Sequence, residues 1–260
     1  MTDKLPVARV PSRPDDRLDR ERDFHNRIFA ESTRESALKF YSVIGRSEHW
    51  YNRQIIRQPP PGRVLEVGCG PRARAAELAK LGFDVSAIDI SDTAIQMARA
   101  TASEKGILGV DFRVMNAESL DYPDAAFDLI LGSAVLHHLD LDKAGPELAR
   151  VMKPGGRGIF IEPLGHNPLI NWYRRRTPHL RSADEHPLLI PDLKGIRNNF
   201  QDVDVRYFEF STIAAVAARR TRLFRPALAV LGAIDAFILG RFSPLRRWSW
   251  ICVIAISTPR

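Results

Sequence analysis

The sequence predicts an α/β fold: a seven-stranded sheet, mostly parallel with an antiparallel last strand, carrying helices on both faces. Three observations lead there. Short apolar runs alternate with segments of helical spacing through the middle of the chain, the order that builds a parallel sheet from crossover units. One such run, Val64-Leu65-Glu66-Val67, leads straight into Gly68-Cys69-Gly70, a turn in which backbone can pass close to a ligand because glycine has no Cβ. The late run from Trp250 to Ile256 is almost uninterrupted by polar residues, as a strand buried on both faces would be.

Five parallel strands are expected at Arg63 to Val67, Asp84 to Ile90, Val110 to Asn116, Phe127 to Ser133 and Arg157 to Glu162. Between them Ala73 to Leu81, Thr93 to Lys105 and Asp142 to Met152 have helical spacing. Ser91 or Asp92 serves as an N-cap, and Gly82 and Gly106 as C-caps. Lys153-Pro154-Gly155-Gly156 is expected to turn into the fifth strand. Two more strands are expected at Val203 to Thr212 and Ser249 to Thr258, separated by the mostly apolar Ile213 to Leu245. The Pro226 to Gly240 part of that stretch is too short to span a bilayer and contains Asp235. Ahead of the glycine turn, Phe24 to Gly45 and Ser47 to Arg57 read as two aromatic-rich helices closed off by Pro59-Pro60-Pro61-Gly62, and Met1 to Arg20 reads as a flexible lead-in without a secretory leader. The organisation expected is a lead-in with cap helices over 1–58 and one domain over 59–260, with insertions at about 164–190 and 213–245. No internal repeat is found.

The chain has 260 residues and a formal charge of +7, with basic clusters at Arg174-Arg175-Arg176, Arg219-Arg220 and Arg246-Arg247. No long basic run, RNA-binding motif or zinc-finger spacing accompanies them, which argues against a nucleic-acid partner. The two cysteines, Cys69 and Cys252, suit neither a disulfide framework nor a zinc site, and a reducing, cytoplasmic setting is expected, with no metal ligands assigned.

Glu66 gives the glycine turn a sign: a carboxylate there suits a bound ammonium and repels a pyrophosphate. With Gly68, Gly70 and Asp89 in place, residues 40 to 165 resemble the class I S-adenosylmethionine-dependent methyltransferases, Rossmann-like enzymes, of the small-molecule, methyltransferase-11-like type. The resemblance implies that Gly68, Cys69 and Gly70 lie under the methionine and ribose of the cofactor and that Glu66 holds its ammonium. It implies that Asp89, with Ile90 beside it, takes both ribose hydroxyls, and that Asn116-Ala117-Glu118 flanks the adenine. Ser133 and the following Ala134-Val135-Leu136-His137-His138-Leu139 resemble the fourth-strand loop beside the methyl donor, and Leu148 to Gly156 the helix and turn before the fifth strand. Family members often have a small residue after the second glycine; here Pro71-Arg72-Ala73-Arg74 follows, and the two arginines are expected to face solvent. Tyr41 and Tyr51 are candidates to close over the cofactor.

Gly68-Cys69-Gly70-Pro71-Arg72-Ala73 also satisfies the dinucleotide fingerprint G-x-G-x-x-A, with Asp89 near the expected ribose position. A nicotinamide dehydrogenase would leave Glu66, the fourth-strand loop and the antiparallel pair without a role. The same motifs are also compatible with an RNA methyltransferase, or with a cofactor-binding module that has no catalytic activity.

On the acceptor side, His166 is the first candidate general base and Glu162 the second. Tyr173 or Arg174 orients an anionic or phenolic acceptor, and His137 and His138 line its site. The acceptor expected is a small, partly hydrophobic molecule, aromatic or lipid-like. The segment 223–247 is expected to wall its pocket, to touch a membrane surface or to form a homodimer contact.

Overall fold

Neighbouring residues of a strand point to opposite faces of the sheet, so a strand covered on both faces must be apolar at nearly every position. A computed structural model, which describes residues 14–31, 38–178, 182 and 184–260, shows this in the first strand, where Val64 joins the core on one face and Leu65 the core on the other. The strands are β1 Arg63–Val67, β2 Asp84–Asp89, β3 Val110–Val114, β4 Phe127–Ser133, β5 Met152–Pro163, β6 Phe200–Phe208 and β7 Ile251–Pro259. Among the described residues they form one seven-stranded sheet in the order β3-β2-β1-β4-β5-β7-β6. The strands from β1 to β5 pair in parallel, and β7 runs antiparallel between β5 and β6. This is the expected sheet, and the run from Trp250 to Ile254 that leads into and through β7 is buried, as its unbroken apolarity requires.

The helices are α1 Pro14–Glu31, α2 Leu38–Tyr41, α3 Gly45–Ile55, α4 Ala75–Lys80, α5 Asp92–Glu104, α6 Leu141–Val151, α7 Pro168–Arg176, α8 Leu193–Arg197 and α9 Phe224–Arg241. On one face α3, α4, α5 and α9 pack over Val64, Val85, Leu129 and Val253; on the other, α6 and α8 pack over Leu65, Ile130, Phe160 and Ile254. Ser91 caps α5, its hydroxyl accepting from the Ala94 N–H at 3.0 Å.

Most boundaries shift by one to three residues, as at β3, which ends at Val114 rather than Asn116, and β6, which starts at Phe200 rather than Val203; three differences have a structural cause. Lys153 to Gly156 is an irregular start of β5 rather than a separate turn, because Met152 already pairs with Phe127 before the register shifts. β6 ends at Phe208 instead of Thr212 because the Asp235 carboxylate captures the N–H groups of Phe210, Ser211 and Thr212 at 2.7–3.2 Å, taking them from any ladder. Residues from Pro14 to Arg20, expected in the lead-in, are helical, and Phe24 and Ile28 one turn apart bury one side of α1. The expected helix Phe24 to Gly45 lies partly outside the described residues.

Candidate functional site

Parallel strands bring their carboxyl ends to one edge of the sheet, and the insertions after β5 and β6 rise from that same edge. Gly68 and Gly70 both adopt left-handed backbone, φ 63° and 59°. A Cβ on Gly68 would lie 2.4 Å from Cγ2 of Val135, so the loop after β4 rests directly on the turn. Cys69 is buried, its N–H donating to the Ile88 carbonyl.

The acids around the turn are wired to backbone. Glu66 accepts from the Arg74 N–H at 3.0 Å and the Ala75 N–H at 2.6 Å, tying β1 to the start of α4, and burial raises its pKa to about 7 against those two bonds. Asp89 accepts from the Gly70 N–H and the Ser91 N–H, both at 2.9 Å; burial raises its pKa. Ile90 follows it, half-buried. The Asn116 side chain accepts from the Glu118 N–H at 2.9 Å, which sets the turn holding buried Ala117. Glu118 accepts from the Asp140 N–H at 2.8 Å and is ion-paired with Arg17 of α1.

Tyr51 is buried beside Glu66, which together with burial raises its pKa; its hydroxyl has no hydrogen-bond partner among the described residues. Arg74 does not simply face solvent: its guanidinium lies over the Tyr51 ring and donates to Asn52 at 2.6 Å, whereas Arg72 is exposed. Tyr41 is half exposed and tilts against Trp250.

The loop after β4 is built on Glu162. Its Oε1 accepts from the Val135 and Leu136 N–H groups, both at 2.9 Å, and its Oε2 lies 2.8 Å from His137 Nδ1. A carboxylate has only lone pairs to offer, so Nδ1 carries the proton, and in the neutral ring Nε2 is the nitrogen with the lone pair. The loop costs a left-handed Ala134, φ 53°, held by its N–H to the Ile161 carbonyl. Ser133 is exposed at the strand end.

Beside it, His138 Nδ1 lies 3.1 Å from Glu21 Oε2, and His25 Nε2 lies 3.4 Å from the same oxygen. Burial, reinforced by His137, lowers the His138 pKa to about 4. Burial of Glu21 is outweighed by hydrogen bonds from His138, His25 and Ser182, which lower its pKa. Ring nitrogens of His137 and His138 and a carboxylate oxygen of Glu185 lie within 4.8 Å of one another, and Glu185 accepts from Arg174 at 2.6 Å. The structure therefore brings Arg174 to the two histidines through Glu185, and Tyr173 packs edge-on against Phe40. Glu21-His25-His138 and His137-His138-Glu185 have donor types suited to a transition ion, and Glu21 already holds both its histidines by hydrogen bonds.

His166 does not join this group. Its Nε2 accepts from the Ile190 N–H at 3.1 Å, so the lone pair a base needs is occupied by the 190–192 turn. His137 and His138 instead line a cleft of about 490 Å³ with Arg17, Asp140, Asp184 and Lys194. A second, apolar cavity of about 320 Å³ lies at the ends of β5 and β6, lined by Leu169, Phe210, Ile213, Leu231 and Trp248. Sequence reasoning missed Arg17, Glu21, His25 and Asn26. Glu21 and His25, four apart on one helix face, were the available signal.

Residues 65–160 match the methyltransferase domain family. A ubiquinone biosynthesis O-methyltransferase of Chelativorans sp. is 38% identical over 127 residues, 44% of this chain and 50% of that protein. The aklanonic acid methyltransferase DauC of Streptomyces sp. is 37% identical over 133 residues, 49% of this chain and 58% of that protein. The chain thus spans about half the length of the curated relatives it matches. The same fold occurs in Haemonchus contortus phosphoethanolamine N-methyltransferase 2 in complex with phosphomonomethylethanolamine and S-adenosylhomocysteine, at TM-score 0.62 and 18% identity over 92% of this chain and 60% of that one. With strand order, glycine turn and domain match in agreement, this chain carries a class I S-adenosylmethionine-dependent methyltransferase domain.

Proposed function

We propose that the protein transfers the methyl group of S-adenosylmethionine to an O, N or C atom of a small, partly hydrophobic acceptor, with His137 as general base and Glu162 as its positioning residue. The residues of the turn fit the cofactor. A left-handed Gly70 has open space where a Cβ would stand, Glu66 holds two backbone bonds with lone pairs to spare, and the buried Tyr51 hydroxyl beside it is unpartnered among the described residues. Glu66, the Gly68–Gly70 turn, Asp89 and Asn116 to Glu118 would hold it. When bound, it supplies a sulfonium methyl, an electrophile that needs alignment more than activation.

What the chain adds is a place for the acceptor proton. The observation that carries the reading is the Glu162–His137 pair on the loop that rests on Gly68. His137 Nε2 takes the proton as the acceptor atom attacks, and the Glu162 carboxylate stabilises the imidazolium that forms. This reverses the order expected from sequence: Glu162, fully buried with three hydrogen bonds, orients a base rather than serving as one, and His166 braces a loop. The names of the relatives, a ubiquinone biosynthesis O-methyltransferase and an aklanonic acid methyltransferase, support a small-molecule acceptor. Two buried, unbridged cysteines fit a cytoplasmic setting. The segment 223–247 is read as a hydrophobic contact surface for acceptor, membrane or a second copy.

The test is methyl transfer from radiolabelled S-adenosylmethionine into organic-phase small molecules, RNA and protein, alongside calorimetry with S-adenosylhomocysteine. Label in the small-molecule fraction is expected. His137→Gln should lower kcat by roughly 10²–10⁴ while product binding persists. Label confined to RNA or protein, or unchanged turnover in the variant, overturns the reading. Binding without transfer to any fraction would leave a cofactor-binding module.

A further inference from the structure

Residues 211–249 contain seven arginines and one carboxylate, so six of the chain's seven net positive charges lie there. The carboxylate, Asp235, is buried and accepts from three backbone N–H groups and the hydroxyls of Ser211 and Thr212, leaving nothing for an outside partner. It anchors the inner face of α9, where Leu228, Leu231 and Gly232 also turn to the domain.

The outer face of the same helix is apolar too. Val230, Ile234 and Phe237, at helical spacing, are 60%, 40% and 70% exposed. Between Arg225 and Arg241 no charged side chain interrupts this face. A helix apolar all round belongs in a core or a bilayer, and this one has a core on one side only. Arginines bracket the face at both ends: Arg219, Arg220, Arg222 and Arg225 before it, Arg241 and Arg247 after it, all exposed. Trp248, partly exposed, carries the Arg247 guanidinium over its ring.

We propose that α9 is a membrane-surface anchor that lies in the headgroup layer of an anionic bilayer, its apolar outer face in the acyl boundary and its arginines on lipid phosphates. The proposal chooses one occupant for the contact surface assigned above and otherwise stands apart from the methyltransferase reading. Eighteen residues, about 27 Å of helix, suit lying in the interface, and no helix among the described residues is long and apolar enough to cross a membrane. A second copy fits poorly. Both ends of α9 are cationic, so parallel or antiparallel packing of two such helices sets arginine against arginine with no exposed acid to neutralise it. The chain leaves β6 and re-enters β7 around α9 at the carboxyl edge of the sheet, so the apolar face is carried on a segment joined to the rest of the domain at that edge.

The experiment is vesicle co-sedimentation of the full chain with phosphatidylcholine alone and with about 30% phosphatidylglycerol. At low salt, enrichment of at least roughly tenfold on the anionic vesicles is expected, falling at ~0.5 M salt without vanishing. Ile234→Asp with Phe237→Asp should lose about tenfold of this binding and keep S-adenosylhomocysteine affinity, since both side chains face outward. In the wild type, brominated lipid should quench tryptophan fluorescence, a readout that needs no variant. No enrichment on anionic vesicles overturns the proposal. So does unchanged binding of the Asp variant without quenching, which means charge adsorption alone, and so does a wild-type dimer that the variant splits in the absence of vesicle binding. Loss of S-adenosylhomocysteine binding or of methyl transfer in the wild type would count against the proposed function and leave the vesicle result untouched.

Discussion

The carboxyl ends of β1 and β2 and those of β4 and β5 both hold buried acids, but they are wired differently. Glu66 and Asp89 bond backbone N–H groups, at Arg74, Ala75 and Ser91 within nine residues and at Gly70 nineteen residues away. At the ends of β4 and β5 the bonds reach further along the chain and include side chains: Glu162 to the Val135 and Leu136 N–H groups and to the His137 ring over 25–27 residues, and beside it Glu21 to His138 over 117 and Arg20 to Asp184 over 164. A site wired to its own backbone is fixed once the strand and turn form. A site wired by distant side chains exists only when separate elements have docked, so its parts can change without unmaking the fold.

The largest effect that tests this contrast comes from one small substitution in each region. Gly68→Ala must hold φ 63° with a side chain and push against Val135 at 2.4 Å. A loss of about 2–4 kcal/mol in urea unfolding is expected, with S-adenosylhomocysteine affinity down at least roughly tenfold. Asp184→Ala removes an ion pair with the exposed Arg20 and should cost under about 1 kcal/mol. Equal costs at the two positions would break the distinction.

A second measurement sharpens it through pH. Burial holds Glu66 at about 7 in the cofactor-free protein, and a bound ammonium favours the ionised form. Cofactor binding therefore releases a proton below that value, and S-adenosylhomocysteine affinity should rise roughly tenfold from pH 6 to pH 8. In Glu66→Gln the profile should flatten and affinity at pH 8 should fall. Calorimetry in buffers of different ionisation enthalpy reads both; an unchanged slope in the variant would remove Glu66 from the ammonium role.

The same contrast explains what the sequence could tell. The glycine turn, Asp89 and the Asn116–Glu118 turn could be singled out as candidates because each stands at the end of a strand the sequence announces, and most of their bonds are to backbone within a few residues. The sheet order was legible for a similar reason: strand and helix periods are local, and crossover rules arrange them. Glu162 and His137 were each visible as single letters, but nothing within a few residues of either announces that one orients the other. His166 looked like a base from its position after β5, and only the docking of the 190–192 turn occupies its lone pair. α1 was hidden because its Pro-, Asp- and Arg-rich start resembles a solvated tail. Its burial depends on Phe24, Ile28 and Glu21 finding partners more than sixty residues away, as Asn26 does in Ser91.

Glu209 is only half wired, with Ser47 hydrogen-bonding its carboxylate while one oxygen is left over. It closes β6 in left-handed backbone, φ 54°, is buried, and its Oε2 has no hydrogen-bond partner among the described residues. Burial raises its pKa to about 8, with Asp235 adding to the rise and Ser47 and Arg46 opposing it. The folded state therefore binds a proton that the unfolded chain releases near pH 4.5. The sign follows: the native carboxyl is comfortable while protonated, and stability drains away as pH rises from about 4.5 towards 8, where ionisation must be forced. Glu209→Gln cannot ionise, so its stability relative to wild type should improve steadily between pH 6 and pH 9, by roughly 1 kcal/mol or more. Parallel stability curves for the two proteins would mean that a partner for Oε2 enters on ionisation, completing the wiring that Ser47 begins.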